Sequence, residues 1–200
     1  MPRPPRLHIP GGYYHVMLRG NHREPLFTDA ADRVALNDIV ADVLQQLGAR
    51  IHAFCWMTNH LHVLIQVGDR PLGKIMQRIA MRYSKHRHRR LATRGHLFER
   101  RYKALLVDVD AYFLTLLRYI HLNPVKARMV RDPADYPWSS HRAYLGEARI
   151  PWLTIDFGLG LFNPTLAAAQ IAYRHFLSQE SFASEDRLLE DVHPEDSRIL

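Results

Sequence analysis

Trp56-Met57-Thr58-Asn59-His60-Leu61-His62-Val63-Leu64-Ile65 decides how this chain is read. The run predicts a β-strand over His60–Val67, entered through a polar turn at Thr58-Asn59. Side chains alternate between the two faces of a strand. Leu61, Val63 and Ile65 therefore share a uniformly apolar face that should meet a core, while His60, His62 and Leu64 share the other. Two neutral imidazoles side by side offer two nitrogen ligands to one divalent metal ion. Taken alone, the pair reads first as two histidines on a solvated sheet face. The preceding run Ile51–Trp56 is a second strand, and the short link Met57–Asn59 makes the two a hairpin.

The flanking sequence completes a domain around this hairpin. Residues 1–10 are proline-rich and basic, an expected flexible arm, and Gly11-Gly12 opens an alternating strand over Tyr13–Arg19. Thr28-Asp29 starts a helix on which Val34, Leu36, Ile39, Val40, Val43, Leu44 and Leu47 recur at helical spacing, and Gly48 stops it. Pro71 precedes a second helix over Leu72–Leu91, with Ile75, Met76, Ile79 and Met81 as its apolar side. A fourth strand is expected within His96–Asp108, followed by a helix over Ala111–Asn123 capped by Asp110 and ended or kinked at Pro124. Strand, helix, strand, strand, helix, strand is the split βαβ order. It predicts an α+β, ferredoxin-like fold, an antiparallel sheet with helices on one face. The domain spans 11–145. A helical extension over 146–179 follows, with Ser139–Leu145 and Thr165–Leu177 as candidate helices. Residues 180–200 carry seven acids against two arginines and read as a solvated, disordered acidic tail.

Charge points to a partner. Between Arg70 and Lys103 twelve lysines and arginines face a single acid, Glu99, a net +11 where the whole chain carries +7. The rest of the chain therefore sums to −4, so the positive charge is one patch, the electrostatic footprint of a polyanion. Within it, Arg78, Arg82, Tyr83, Lys85 and Arg89 on the basic helix and Arg100, Arg101 and Lys103 after it are candidate nucleic-acid contacts. The single cysteine, Cys55, excludes an intrachain disulfide and suits a reducing cytoplasm. No apolar run approaches the ~20 residues of a membrane span.

A second half of the site lies far along the chain. Tyr119 and Asn123 stand four apart, on one face of the helix Ala111–Asn123. They read either as a core aromatic and a helix cap, or as chemistry. A tyrosine hydroxyl, with a pKa of ~10, is a poor nucleophile at neutral pH. A metal beside it can polarise a phosphate under attack, and the carboxamide oxygen of Asn123 can serve as a third ligand with His60 and His62. Tyr83, among the arginines of the basic helix, is the rival nucleophile. His121 falls on another helical face and is read as structural or as a support behind the site residues. A zinc hydrolase would want a third strong ligand and a general base, and neither His-Glu-x-x-His nor Cys-x-x-Cys occurs.

These residues carry a resemblance. Met57-Thr58-Asn59-His60-Leu61-His62-Val63-Leu64 resembles the His-hydrophobe-His motif of the single-tyrosine HUH transposases, and Arg118-Tyr119-Ile120-His121-Leu122-Asn123-Pro124-Val125 resembles their nucleophile helix. Gly11-Gly12-Tyr13-Tyr14-His15-Val16 and Gly95-His96-Leu97-Phe98-Glu99-Arg100-Arg101-Tyr102-Lys103 are similar to blocks of the REP-associated tyrosine transposase branch. The likeness runs from Pro10 to Tyr144, and more weakly over Pro151–Leu177. It implies a ferredoxin-like HUH domain acting on single-stranded, often hairpin-forming DNA. Tyrosine would attack a phosphodiester, keep the 5′-phosphate and leave a free 3′-hydroxyl. Mg²⁺ or Mn²⁺ would be the metal, with His60, His62 and Asn123 as ligands and Tyr119 as nucleophile. Members occur as monomers and as homodimers that exchange the tyrosine helix. The other function class is a hairpin-binding protein that kept the fold without turnover.

Overall fold

The computed structural model describes residues 8–179. Most of the basic arm and the acidic tail, residues 1–7 and 180–200, lie outside the described residues. Four strands, β1 (Tyr13–Arg19), β2 (Arg50–Trp56), β3 (His60–Gln66) and β4 (Lys103–Val107), form one antiparallel sheet in the order β2-β3-β1-β4. Helices α1 (Ala30–Leu47) and α2 (Leu72–Leu91) complete the split βαβ order. Asp29 caps α1 by accepting from the Asp32 backbone N–H, and Gly48 ends it in the left-handed conformation.

Alternation assigns the two faces of the sheet. Tyr14, Val16 and Leu18 of β1 and Leu61, Val63 and Ile65 of β3 pack with the buried stripes of α1 and α2. On α2 that stripe is Leu72, Ile75, Met76, Ile79, Tyr83 and Arg87, whereas Met81 is 61% exposed. The 3.6-residue period carries the buried line from Ile79 to Tyr83, so the expected apolar role of Met81 passes to the tyrosine. A bulge between Ile51 and Ala53 shifts the alternation of β2, so that Ile51 faces the same side as Phe54 and Trp56. Ile51, Phe54 and Trp56 join the first core, and Ala53 and Cys55 join the second.

That second core is built by α3 (Val109–Lys126). Its Leu116, Leu117 and Ile120 lie against Leu64, Ala53 and Cys55. Helices thus cover both faces, and the face bearing His60 and His62 is roofed by α3 rather than bathed in solvent. Asp108, not Asp110, caps α3, accepting from the Asp110 backbone N–H. The helix also continues past Pro124 to Lys126, because a proline this close to the end forfeits one hydrogen bond in the last turn.

The fourth strand is shorter than its sequence suggests. Met17 pairs with Lys103, a register that would set Gly20 against Arg100, yet Gly20 bridges Phe98. Two extra residues are therefore looped out between Phe98 and Lys103, and Arg100 and Arg101 stand on that loop. After α3 the chain returns along the β2 edge. There the Trp56 N–H donates to the Trp138 carbonyl, and Ser140 N–H to the Phe54 carbonyl. Helices α4 (His141–Tyr144), α5 (Asp156–Gly160) and α6 (Leu166–Ser178) then pack on α3, burying Tyr144 and Tyr173 completely. This return leaves no bare edge on β2.

Candidate active site

The cavity opens where the C-terminal half of β1, the start of β3 and the last turns of α3 meet. Strand parity puts His15, Met17 and Arg19 on the same sheet face as His60 and His62, with Met17 opposite His62 and Arg19 opposite His60. The His60 and His62 rings meet edge to face at 4.9 Å between centroids. Tyr119 comes down from α3 edge-on to His62 at 5.5 Å and to His15 at 5.8 Å. Asn123, one turn later, donates through Nδ2 to the Tyr119 carbonyl at 2.7 Å. A carbonyl only accepts, so the amide orientation is set and Oδ1 is the remaining donor atom for a metal. His60, His62, Tyr119 and Asn123, with Arg19, Arg23, Arg100, Arg101 and Lys103, line a cavity of about 490 Å³.

Its electrostatics follow from burial. Desolvation is the main cause that lowers the His60 pKa to about 4, helped by the nearby Arg19 charge. Burial likewise pushes His62 well below its ordinary value and His15 to about 3. All three imidazoles are neutral at physiological pH, the form that ligates metals. His60 Nδ1 is 2.7 Å from Asn59 Oδ1, and His62 Nδ1 is 3.2 Å from His15 Nε2. Each Nε2 is therefore the nitrogen left for a ligand. No group of three His, Cys, Asp or Glu side chains among the described residues could hold a metal. The donor set is two imidazoles and an amide oxygen, without a carboxylate. It fits a divalent ion whose remaining positions go to water and phosphate oxygens.

The expected site residues part company here. His60, His62, Tyr119, Asn123, Arg100, Arg101 and Lys103 line one cavity. Arg78, Arg82, Tyr83, Lys85 and Arg89 belong to α2, which packs on the opposite sheet face. Arg78, Lys85 and Arg89 are exposed there, and Arg82 is paired with Asp42 at 2.8 Å. Tyr83 needs correction outright. It is fully buried and donates its hydroxyl to the Leu26 carbonyl at 2.7 Å, so its ring has no face to offer a base. The basic patch is divided further by buried Asp32. This carboxylate accepts from Thr28, from Arg87 at 2.8 Å and from Arg90 at 2.7 Å. Burial alone would raise its pKa, but these partners outweigh it and hold the carboxyl ionised.

Five polar residues in or behind the cavity escaped the sequence reading, among them Asn59, which the sequence offered only as a turn residue. His15 and Arg19 were legible from strand parity once Tyr13–Arg19 was paired with the histidine strand. Arg23 was not, because it reaches the cavity from a turn in which His22 and Arg23 both have positive φ, 50° and 60°. Glu99 sits among the cations, bonded to Arg19 at 3.0 Å and to Arg100 at 3.0 Å.

A family model described as IS200-like transposase matches residues 9–123. The chain belongs to the IS200-like transposase family. Membership makes it an enzyme that acts on DNA. The matched segment runs from just before β1 to Asn123 and so contains every residue that lines the cavity. Among solved structures, a REP-associated tyrosine transposase bound to a REP hairpin is 20% identical, with a TM-score of 0.62, covering 77% of this chain and 92% of that one. At that identity the likeness establishes the shared fold. A provisionally assigned transposase of Deinococcus radiodurans R1 is 17% identical over 64% of this chain and 92% of its own, with a TM-score of 0.41. No curated protein matches. No helix among the described residues is long and apolar enough to cross a membrane.

Proposed function

We propose that this transposase cuts and rejoins single-stranded, hairpin-forming DNA through a covalent link to Tyr119, with Mg²⁺ or Mn²⁺ held by His60, His62 and Asn123. One observation carries the reading: a tyrosine hydroxyl, two neutral imidazoles and a carboxamide line the same cavity as Arg100, Arg101 and Lys103. The hairpin is suggested by the solved relative, which is bound to one. A bound divalent ion would polarise the scissile phosphate and so offset the weak nucleophilicity of a phenol.

The remaining steps belong to the chain itself. Arg100, Arg101 and Lys103 pair with phosphates on either side of the cut and hold the strand against the sheet. The Tyr119 hydroxyl oxygen attacks phosphorus and loses its proton to solvent. The bond from phosphorus to the 3′ oxygen breaks, and that oxygen leaves protonated as a free 3′-hydroxyl. The 5′-phosphate stays on Tyr119 as a diester, which conserves the bond energy for a 3′-hydroxyl to reverse the step and join a new strand. Chemistry of this kind needs no disulfide and suits the reducing cytoplasm that the single buried Cys55 also suits.

The test is an adduct that survives denaturation. Wild-type protein with Mn²⁺ and a hairpin carrying a cleavable single-stranded flank should retain label placed 3′ of the nick. Tyr119→Phe should bind the same DNA and form no adduct, whereas Tyr83→Phe should still form one. An adduct persisting in Tyr119→Phe would remove the nucleophile. Binding without any adduct in the wild type would leave a hairpin-binding protein. Light scattering of the protein–DNA complex decides between monomer and homodimer.

A further inference from the structure

The two imidazoles are useful to a cation only if each presents a lone pair at Nε2, and a neutral imidazole has a choice of tautomer. At His60 the structure removes that choice. Asn59 Nδ2 donates to the Arg23 carbonyl at 3.0 Å. Flipping the amide would set its oxygen against that carbonyl, two acceptors facing each other, so the orientation is fixed. Asn59 Oδ1 then faces His60 Nδ1 at 2.7 Å. An amide oxygen accepts only, so Nδ1 must carry the proton and Nε2 the lone pair.

The Arg23 carbonyl is itself held in place at a cost. His22 and Arg23 are consecutive non-glycine residues with positive φ, a conformation costing about 1–2 kcal/mol each. Two backbone hydrogen bonds tie that turn to the approach of β3. Gly20 N–H donates to the Asn59 carbonyl at 2.8 Å, and Leu26 N–H to the Thr58 carbonyl at 2.9 Å. The strained turn thus aims a carbonyl at Asn59, and Asn59 aims an acceptor at His60. His62 is served differently. Its Nδ1 faces another imidazole, His15, whose own Nδ1 has no hydrogen-bond partner among the described residues. Either ring of that pair can be the donor, whereas Asn59 allows a single arrangement.

We propose that Asn59 is a positioning residue that locks His60 in the Nδ1–H tautomer, so that Nε2 faces the cavity as a ready lone pair before any cation or DNA arrives. This rests on the reading of His60 as a metal ligand, and the two can fail separately. Long-range ¹H–¹⁵N NMR of the full chain without metal should find His60 in the Nδ1–H form. It should find the Nε2–H form rising in Asn59→Leu, which keeps the shape and loses both polar contacts. Asn59→Asp loses the donor to the Arg23 carbonyl, but a carboxylate can only accept, so the Nδ1–H form should persist there. Mn²⁺ titration followed by electron paramagnetic resonance should show binding weakened about 10- to 100-fold in Asn59→Leu.

The proposal is overturned if wild-type His60 carries its proton on Nε2. It is also overturned if Asn59→Leu, with native thermal unfolding, keeps the Nδ1–H form or wild-type Mn²⁺ affinity while His60→Ala loses it. If His60→Ala binds Mn²⁺ like the wild type, the metal reading falls instead, and the ring spectrum still decides the role of Asn59. Should Asn59→Leu not fold, the wild-type and Asn59→Asp spectra decide alone.

Discussion

His52 shows how much a single buried polar side chain can matter away from any chemistry. It stands at the β2 bulge with its ring among Tyr13 at 5.1 Å, Phe113 at 5.8 Å and Phe157 at 5.8 Å. Neither ring nitrogen has a partner at hydrogen-bond geometry among the described residues. Burial outweighs the opposing pull of Gln66 and the Thr154 backbone and lowers its pKa to about 4. A ring of similar shape without polar atoms would avoid that desolvation. His52→Phe should therefore stabilise the protein by about 1–2 kcal/mol at pH 7, read from urea denaturation. A loss of stability would show that the imidazole makes a bond worth more than its burial costs.

At the level of elements, the basic charge that looks continuous in sequence is spread over two surfaces. Helix α2 commits Arg87 and Arg90 to Asp32 and Arg82 to Asp42, and its exposed Arg78, Lys85 and Arg89 lie across the sheet from the histidines. The looped-out segment before β4 brings Arg100 and Arg101 to the cavity instead. Reversing Arg100 and Arg101 to Glu should weaken single-strand binding more than reversing Arg78 and Arg89. The log–log salt slope should become shallower by about 0.7 for each phosphate that the variant no longer engages. Fluorescence anisotropy across a salt series checks this. Equal weakening by both pairs would mean that DNA also crosses the far face.

At the level of the whole molecule, the nucleophile helix is fastened from behind. His121 shares hydrogen bonds with Ser140 Oγ at 2.6 Å and with the Tyr173 hydroxyl at 2.7 Å, and that hydroxyl also meets His141 Nδ1 at 2.5 Å. Ser140, His141 and Tyr173 thereby tie α3 to the β2 edge and to α6 through one buried polar chain. Such a chain is sensitive to acid. Desolvation, the largest cause, lowers the His141 pKa to about 4, as it does for His52. Between about 6.5 and 4 the unfolded chain binds protons that the folded one refuses, so stability is full above pH 6.5 and falls as pH drops toward 4. Two such groups amount to on the order of 6 kcal/mol by pH 4, comparable with the about 5–15 kcal/mol that holds a domain together. Melting temperatures at pH 7.5, 6.0 and 5.0 should fall steadily, and His52→Phe should flatten the decline. A midpoint independent of pH over that range would contradict the buried neutral histidines.

Local patterns were enough for much of this. Alternation in β3 separated an apolar face from a histidine face, caps and helical spacing marked α1 and α2, and four separated blocks pointed to the family. These are short-range signals, set by the geometry of a strand or a helix turn, so they survive in the linear chain. What lay beyond them depends on contacts between distant residues. Tyr83 and Tyr119 are both helical tyrosines near cations, and only packing distinguishes them, one sealed under Leu26 and the other at the cavity. The division of the basic patch follows from which sheet face each element covers. The tautomer of His60 depends on a carbonyl 37 residues earlier, at Arg23, because a hydrogen bond is decided by where atoms meet in space.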